Sequence, residues 1–286
     1  MTTVERHTVN AAFAAENSPR LAVSFERNTP KVAQRASQLT SLLDIAILRL
    51  GSQCAIDPAG SQNDTWISLV QASQTASAIF DAATTDMDHA DCLIGQEFIQ
   101  VPATGPTYYS DPARWQTALW LAMISRDHNR IRNLCSVSEH TLRTNSDEFD
   151  DYIYSWILTL QKYLLNDRDE VQEKMKETAQ LLAPDSTSRS NPEYLDKIVR
   201  PQLLMFLELG SRDEAGFNNA LRECLDAHRE FWTVNSERSS SPRGYVALAP
   251  LAFTCVAHDS GMSVEVESDY VPRDLIRGSR VGELQF

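Results

Sequence analysis

The feature that most constrains this chain is a recurring unit in which an apolar helical run stops at a polar break containing aspartate and then restarts. Leu119–Ile124 ends at Asp127, Ile157–Leu165 at Asp167, Leu203–Leu209 at Asp213 and Leu251–Ala257 at Asp259, so the breaks are spaced by 40, 46 and 46 residues. After the first three the helical pattern resumes. Two helices joined by a short turn cannot bury their own apolar face, so units of this length must stack on one another. The fourth break leads instead into the alternation Val264, Glu265, Val266, Glu267, as a terminal unit would.

Within the units the apolar residues recur at three- and four-residue steps. Ile153, Trp156, Ile157, Leu160 and Leu164 form one stripe, Val171, Met175, Ala179 and Leu182 a second, and Phe217, Leu221, Cys224, Leu225 and His228 a third. Ala118–Ile124 and Leu203–Leu207 are apolar nearly all round, which predicts helices buried on several sides. Upstream, Val32 to Leu50 and Trp66 to Phe80 carry two further stripes. Four dipeptides, Thr29-Pro30, Asp111-Pro112, Asn191-Pro192 and Ser241-Pro242, set a good N-cap before a proline tolerated in the first turn, and each predicts a helix start. Loops are expected at Gly51–Ser61, Val101–Ser110, Pro184–Asn191 and Val234–Ser241. Strand patterns are confined to Cys92–Val101 and the Val-Glu alternation at 264–267.

The expected fold is therefore all-α: helical hairpins stacked in a solenoid-like or bundle-like array, with at most short strand pieces. One domain is expected over residues 1–286, with 1–105 adding a helical pair and a short irregular segment and 106–286 forming the repeat-like part.

Charge narrows the function. Against 26 Lys+Arg stand 39 Asp+Glu, a formal charge of −13, which repels nucleic-acid phosphates and anionic lipid, so neither nucleic acid nor membrane is an expected partner. Residues 144–286 hold 15 basic and 25 acidic side chains, or −10 of the total. Such a surface serves solubility, and it also suits a basic partner. The first twenty residues carry Glu5 and Arg6 and no apolar core of the secretory kind, and no uninterrupted apolar run approaches 18 residues, so a cytoplasmic location is expected. Five cysteines, odd in number and widely spaced among apolar neighbours, predict reduced, buried thiols.

Catalytic signatures are absent from the sequence: there is no phosphate-binding glycine pattern, His-Glu-x-x-His, Gly-x-Ser-x-Gly or Cys-x-x-Cys. Asp86, Asp88 and Asp91 around His89 have the oxygens for a hard cation but lack the loop glycine and the spacing. His228 sits on an apolar stripe, where a hydrogen-bonded core or interface histidine is the expected role. The densest charge feature is Asp147, Glu148, Asp150 and Asp151 at the start of a helix. Unpaired amides at a helix N-terminus favour negative charge there, and four carboxylates exceed what a cap needs, so either a capping role or a partner-facing patch fits.

The succession Tyr109-x-x-Pro112-x-x-Trp115-x-x-Ala118, Asp150–Trp156 (DDYIYSW), Ala227–Trp232 (AHREFW), Tyr245–Leu251 (YVALAPL) and Val264–Pro272 (VEVESDYVP) resembles the bacterial immunity protein 49 family, over roughly residues 20–277. The resemblance implies a mostly helical protein that needs no active site, and the lack of ligand spacing or a phosphate loop in the sequence predicts that no metal or cofactor is needed. It also implies that the chain neutralises a cognate polymorphic toxin by binding, for which a basic toxin surface would complement the acidic cluster. A helical-repeat scaffold for another partner shares these physical features, and an enzyme using His228 with the acidic cluster is the remaining alternative. Trp115, Trp156 and Trp232 fall at family-like positions, and their places on apolar stripes predict core packing.

Overall fold

The computed structural model describes residues 2–283, apart from the side chains of residues 145–147 and 168–169. Its elements begin with β1 (Thr2–Thr3), α1 (Ala11–Asn28), α2 (Gln38–Ile56), α3 (Asn63–Thr84), β2 (His89–Ile94) and β3 (Glu97–Pro102). They continue through α4 (Pro112–Ile124), α5 (His128–Cys135), the short α6 (Glu139–Leu142), α7 (Tyr152–Leu164) and α8 (Arg168–Leu181). A one-turn α9 (Pro192–Tyr194) passes through a π-helical turn at Leu195–Val199 into α10 (Arg200–Ser211). Pro201 has no N–H for the ordinary ladder and its ring crowds the carbonyl four residues back, so a widened turn just before it relieves both. After α11 (Glu214–Trp232) come α12 (Ser236–Ser239), α13 (Leu248–Asp259), β4 (Val266–Glu267) and α14 (Arg273–Ile276).

The repeated Asp breaks share one backbone device. Arg126, Asn166 and Arg212 adopt the left-handed conformation with φ of 57°, 61° and 58°. In each case the following aspartate amide donates to the carbonyl five residues back: Asp127 to Ala122 at 3.0 Å, Asp167 to Lys162 at 2.9 Å and Asp213 to Glu208 at 3.2 Å. These bonds close each helix end and offset the left-handed strain of about 1 kcal/mol. Two of the aspartates then cap the next helix, Asp127 accepting from the amides of Asn129 and Arg130 and Asp213 from that of Gly216. Asp167 pairs with Lys162 instead, at 2.8 Å. The fourth turn uses the same device at a different place from the one expected. Gly261 has φ of 83° and Met262 donates to Ala257 at 3.0 Å, while Asp259 is the last residue of α13.

The first helix of each unit faces inward. Trp120 of α4, Trp156 of α7, Phe206 of α10 and Phe253 of α13 meet as a central aromatic cluster, with ring centroids 5.0 Å apart for Trp120–Phe253 and Trp156–Phe206. Phe253 also lies 5.6 Å from Phe206 and 6.4 Å from Trp156. Edge-to-face geometry of this kind adds to the burial of large rings. Because α13 packs directly on α4, the last unit meets the first and the array closes on itself. The architecture is thus the bundle-like form of the expected all-α fold.

The N-terminal part contains three long helices where a pair was expected. α1 has only Ala14, Ser18 and Phe25 buried and contains Pro19, so it shows little stripe, and it packs on α2, which in turn packs on α3. Thr29-Pro30 opens a short 3-10 turn, not a new α-helix, and Ser241-Pro242 does the same, whereas Asp111 and Asn191 do cap helices. The expected loop at Gly51 is still helix, since α2 continues to Ile56. A side chain there would collide with the Pro242 carbonyl oxygen, 2.0 Å from an ideal Cβ, so the glycine lets the 242–244 turn rest on the helix. Among the described residues α2 is the one helix long and apolar enough to cross a membrane, and it lies mostly buried. The irregular segment is the β2–β3 hairpin, registering Cys92 with Ile99. β4 pairs in parallel with β1 at the chain start. All five cysteines are free and buried, and burial pushes each thiol up to about 12.

Candidate functional site

The four clustered carboxylates part company in the structure. Asp147 has its side chain outside the described residues. Glu148 is exposed. Asp151 is exposed and occupies the N-cap position of α7 without capping it, accepting instead from Arg143 Nη1 at 3.0 Å. That guanidinium also binds Glu139 and stacks 3.8 Å over the Tyr154 ring.

Asp150 turns inward and is only 1% exposed, which removes it from any partner-facing patch. It accepts from the backbone amides of Ser188 at 3.0 Å, Arg189 at 3.1 Å and Ser190 at 2.8 Å. Burial pushes its carboxyl up, but the hydrogen bonds from Ser190, Ser188 and Arg189 outweigh that and hold it below the ordinary value. The residue fixes the loop between α8 and α9. Neighbours in sequence have opposite fates because Asp150 precedes the helix on its inner side.

That loop borders an apolar groove of about 1070 Å³ between α8 and α10. Val171, Met175 and Ala179 form one wall, Leu204 and Leu207 the other, with Tyr163 and Phe206 at the base and Leu182, Ala183 and Pro184 at the end nearest the Asp150 tether. Leu204 and Leu207 are 55% and 51% exposed, so α10 is not buried on all sides as its apolar run implied. The stripe of α8 is likewise only partly covered, whereas Phe217, Leu221 and Leu225 of α11 are fully buried. The groove's charged lining is basic: Lys176, Arg200 and Arg212, with no carboxylate. Arg200 pairs with Asp196 at 2.8 Å and donates to the Leu182 carbonyl, and Arg212 donates to the Ser260 carbonyl at 2.8 Å. Sequence patterning missed this site because its apolar residues carry the same periodicity as core residues.

His228 lies in the core, the first of the two places its stripe left open. Its Nε2 is 3.0 Å from the Gly244 carbonyl oxygen and its ring meets Tyr270 edge-on at 4.8 Å. Burial lowers its pKa to about 4, against the opposing hydrogen bond to Gly244. Tyr270 in turn holds His7, with its hydroxyl 2.7 Å from Nδ1, so the N-terminal segment is clasped over this core. Trp115 and Trp156 are buried, and Trp232 is half-buried with its ring against Gly244. Among the described residues no group of three or more His, Cys, Asp or Glu side chains is placed to hold a metal ion; Asp86 and Asp88 lie exposed on the approach to the hairpin and Asp91 is exposed within β2.

The geometry offers a shaped apolar groove and exposed charge, features that recognise another molecule by contact. No curated protein and no solved structure matches the chain. A family model described as Immunity protein 49 matches residues 57–275, from the turn before α3 to α14. With most of its length matched in this way, the chain belongs to the Immunity protein 49 family.

Proposed function

We propose that this chain is an immunity protein that binds a cognate protein toxin in the cytoplasm and neutralises it by covering the toxin's active site or substrate surface. The match over residues 57–275 carries the proposal. Glu148 and Asp151, exposed at the start of α7 within the half that carries −10, face a basic surface of that toxin, while Asp150 acts indirectly by holding the 188–190 loop. Charge at an interface rim acts mainly on encounter rate, which favours capture of a toxin as it appears.

The deciding experiment is protection: cells expressing the open reading frame adjacent to this one survive when the chain is co-expressed. Survival that is no better than with an empty vector, together with no binding between the purified proteins, undoes the proposal and leaves a helical scaffold for another partner. Replacing Glu148 with Gln and Asp151 with Asn slows association at low ionic strength and flattens its salt dependence. Unchanged association at two ionic strengths removes these residues from the interface.

A further inference from the structure

We propose that the groove between α8 and α10 receives an amphipathic helix of the partner, one that carries acidic residues on both flanks of its apolar face; the identity of that partner rests on the function proposed above. Three observations converge on this occupant.

The walls are two helices whose facing side chains follow helical spacing. Val171, Met175 and Ala179 stand at four-residue steps on α8, and Leu204 and Leu207 at a three-residue step on α10. Such rows accept the ridges of a third helix, and a methionine in the wall adapts to the shape inserted. The apolar surface is also unpaid within the fold, since Leu204 and Leu207 are more than half exposed while the equivalent stripe of α11 is fully buried.

The charge of the groove is opposite in sign to the net charge of the chain. A chain of net −13 lines this groove with Lys176, Arg200 and Arg212 and with no carboxylate. Lys176 and Arg212 form no ion pair among the described residues. An anionic occupant is complementary here and nowhere along the acidic flank beside α7.

The placement of the cations distinguishes a helix from a lipid. Lys176 stands on the α8 wall and Arg212 at the end of the α10 wall, whereas Arg200, at the other end of α10, already pairs with Asp196. A single-headed amphiphile can satisfy one wall. A helix of about three turns with acidic residues on both flanks satisfies both.

The test uses a fluorescein-labelled peptide of about 14 residues with leucines at helical spacing and glutamates on both flanks, and a second peptide with lysines in place of the glutamates. Fluorescence anisotropy with the full chain should show binding of the acidic peptide only. Leu204→Asp with Leu207→Asp should weaken it by about thirtyfold, the scale of a central interface contact. Both leucines are exposed, and an unchanged thermal melt verifies that this variant folds. Lys176→Glu with Arg212→Glu should reverse the preference toward the lysine peptide. Equal binding of the two peptides, or binding of neither, overturns the inference, as does palmitate binding more tightly than the acidic peptide. The purified product of the adjacent reading frame should then displace the acidic peptide. A toxin that binds the wild type and the Leu204→Asp, Leu207→Asp variant equally overturns the groove inference while the immunity function stands. Peptide binding with no toxin binding does the reverse.

Discussion

Arg126 and Asp259, separated by 133 residues, meet as a two-pronged pair: Nε lies 3.0 Å from Oδ2 and Nη2 lies 3.3 Å from Oδ1. The same guanidinium donates to the carbonyls of Ile124 and Leu275, each at 2.7 Å, and to that of Ile276. All five of its N–H groups are used, which only arginine can supply. A left-handed turn residue of the first unit therefore fastens the end of α13 and the last helix α14 to the start of the array.

Arg126→Ala should destabilise the protein by about 2–3 kcal/mol, because it leaves three carbonyl acceptors and Asp259 without their donor. Asp259→Asn should cost less than about 1 kcal/mol, since that carboxylate is half-exposed and the carbonyl bonds survive. Urea denaturation of the two variants gives the comparison. Equal losses would show that the ion pair, not the carbonyl clamp, holds the C-terminal helix.

Two glycine-to-alanine changes should have opposite signs. At Gly51 a methyl group would press into the Pro242 backbone and cost about 2 kcal/mol. Gly210, exposed within α10, has nothing within 4 Å of an added Cβ, so alanine there should stabilise by about 0.5–1 kcal/mol. Thermal melts of both variants check the pair, and a stabilising Gly51→Ala would contradict the close approach.

Acidification should weaken the fold through His228. Its ordinary value of 6.5 falls to about 4 in the folded chain, so between those values the unfolded state binds the proton more readily. Stability from this residue is full above pH 6.5 and declines as pH drops toward 4, by up to about 3 kcal/mol. His7, lowered chiefly by burial, acts in the same direction. Asp81 opposes them, because burial raises it to about 6 and its contribution is lost as pH rises through that range. Subtracting the stability-against-pH curve of His228→Gln from that of the wild type isolates the histidine; a flat difference from pH 4 to 7 would remove it as the cause.

Asp150→Ala should cost about 2 kcal/mol, the worth of several amide bonds to one carboxylate, whereas Glu148→Gln should stay within about 0.5 kcal/mol. The Asp150 contribution is present at neutral pH and vanishes as pH falls through its depressed value. Amide hydrogen exchange at Ser188–Ser190 provides the local readout: protection should drop in Asp150→Ala alone.

The turns were legible because Asp127, Asp167 and Asp213 each close a helix end through their backbone amide, and Asp127 and Asp213 also cap the next helix, tasks that short-range chemistry dictates. Asp259 misled the placement of the fourth turn because the same backbone device is carried there by Gly261 and Met262. The first helix escaped notice since its few buried residues and internal Pro19 leave no stripe. Within the acidic cluster, sequence adjacency could not separate Asp150 from Asp151, because the loop at 188–190 that claims Asp150 lies almost forty residues away. The groove was hidden for a related reason. Leu204 and Leu207 have the spacing of core residues, and only the distance between two helices leaves them uncovered.

The contact between α13 and α4 limits how this protein can change its length. In an open stack a duplicated hairpin simply adds one more storey, and a lost one leaves a shorter tower. Here each inner helix already has two inner neighbours, and inserting or deleting a unit would open the circle around the Trp120, Trp156, Phe206 and Phe253 cluster. The copy number is therefore set by geometry, and diversification is channelled into outer helices, loops and surface charge, where residues can be exchanged without breaking the ring.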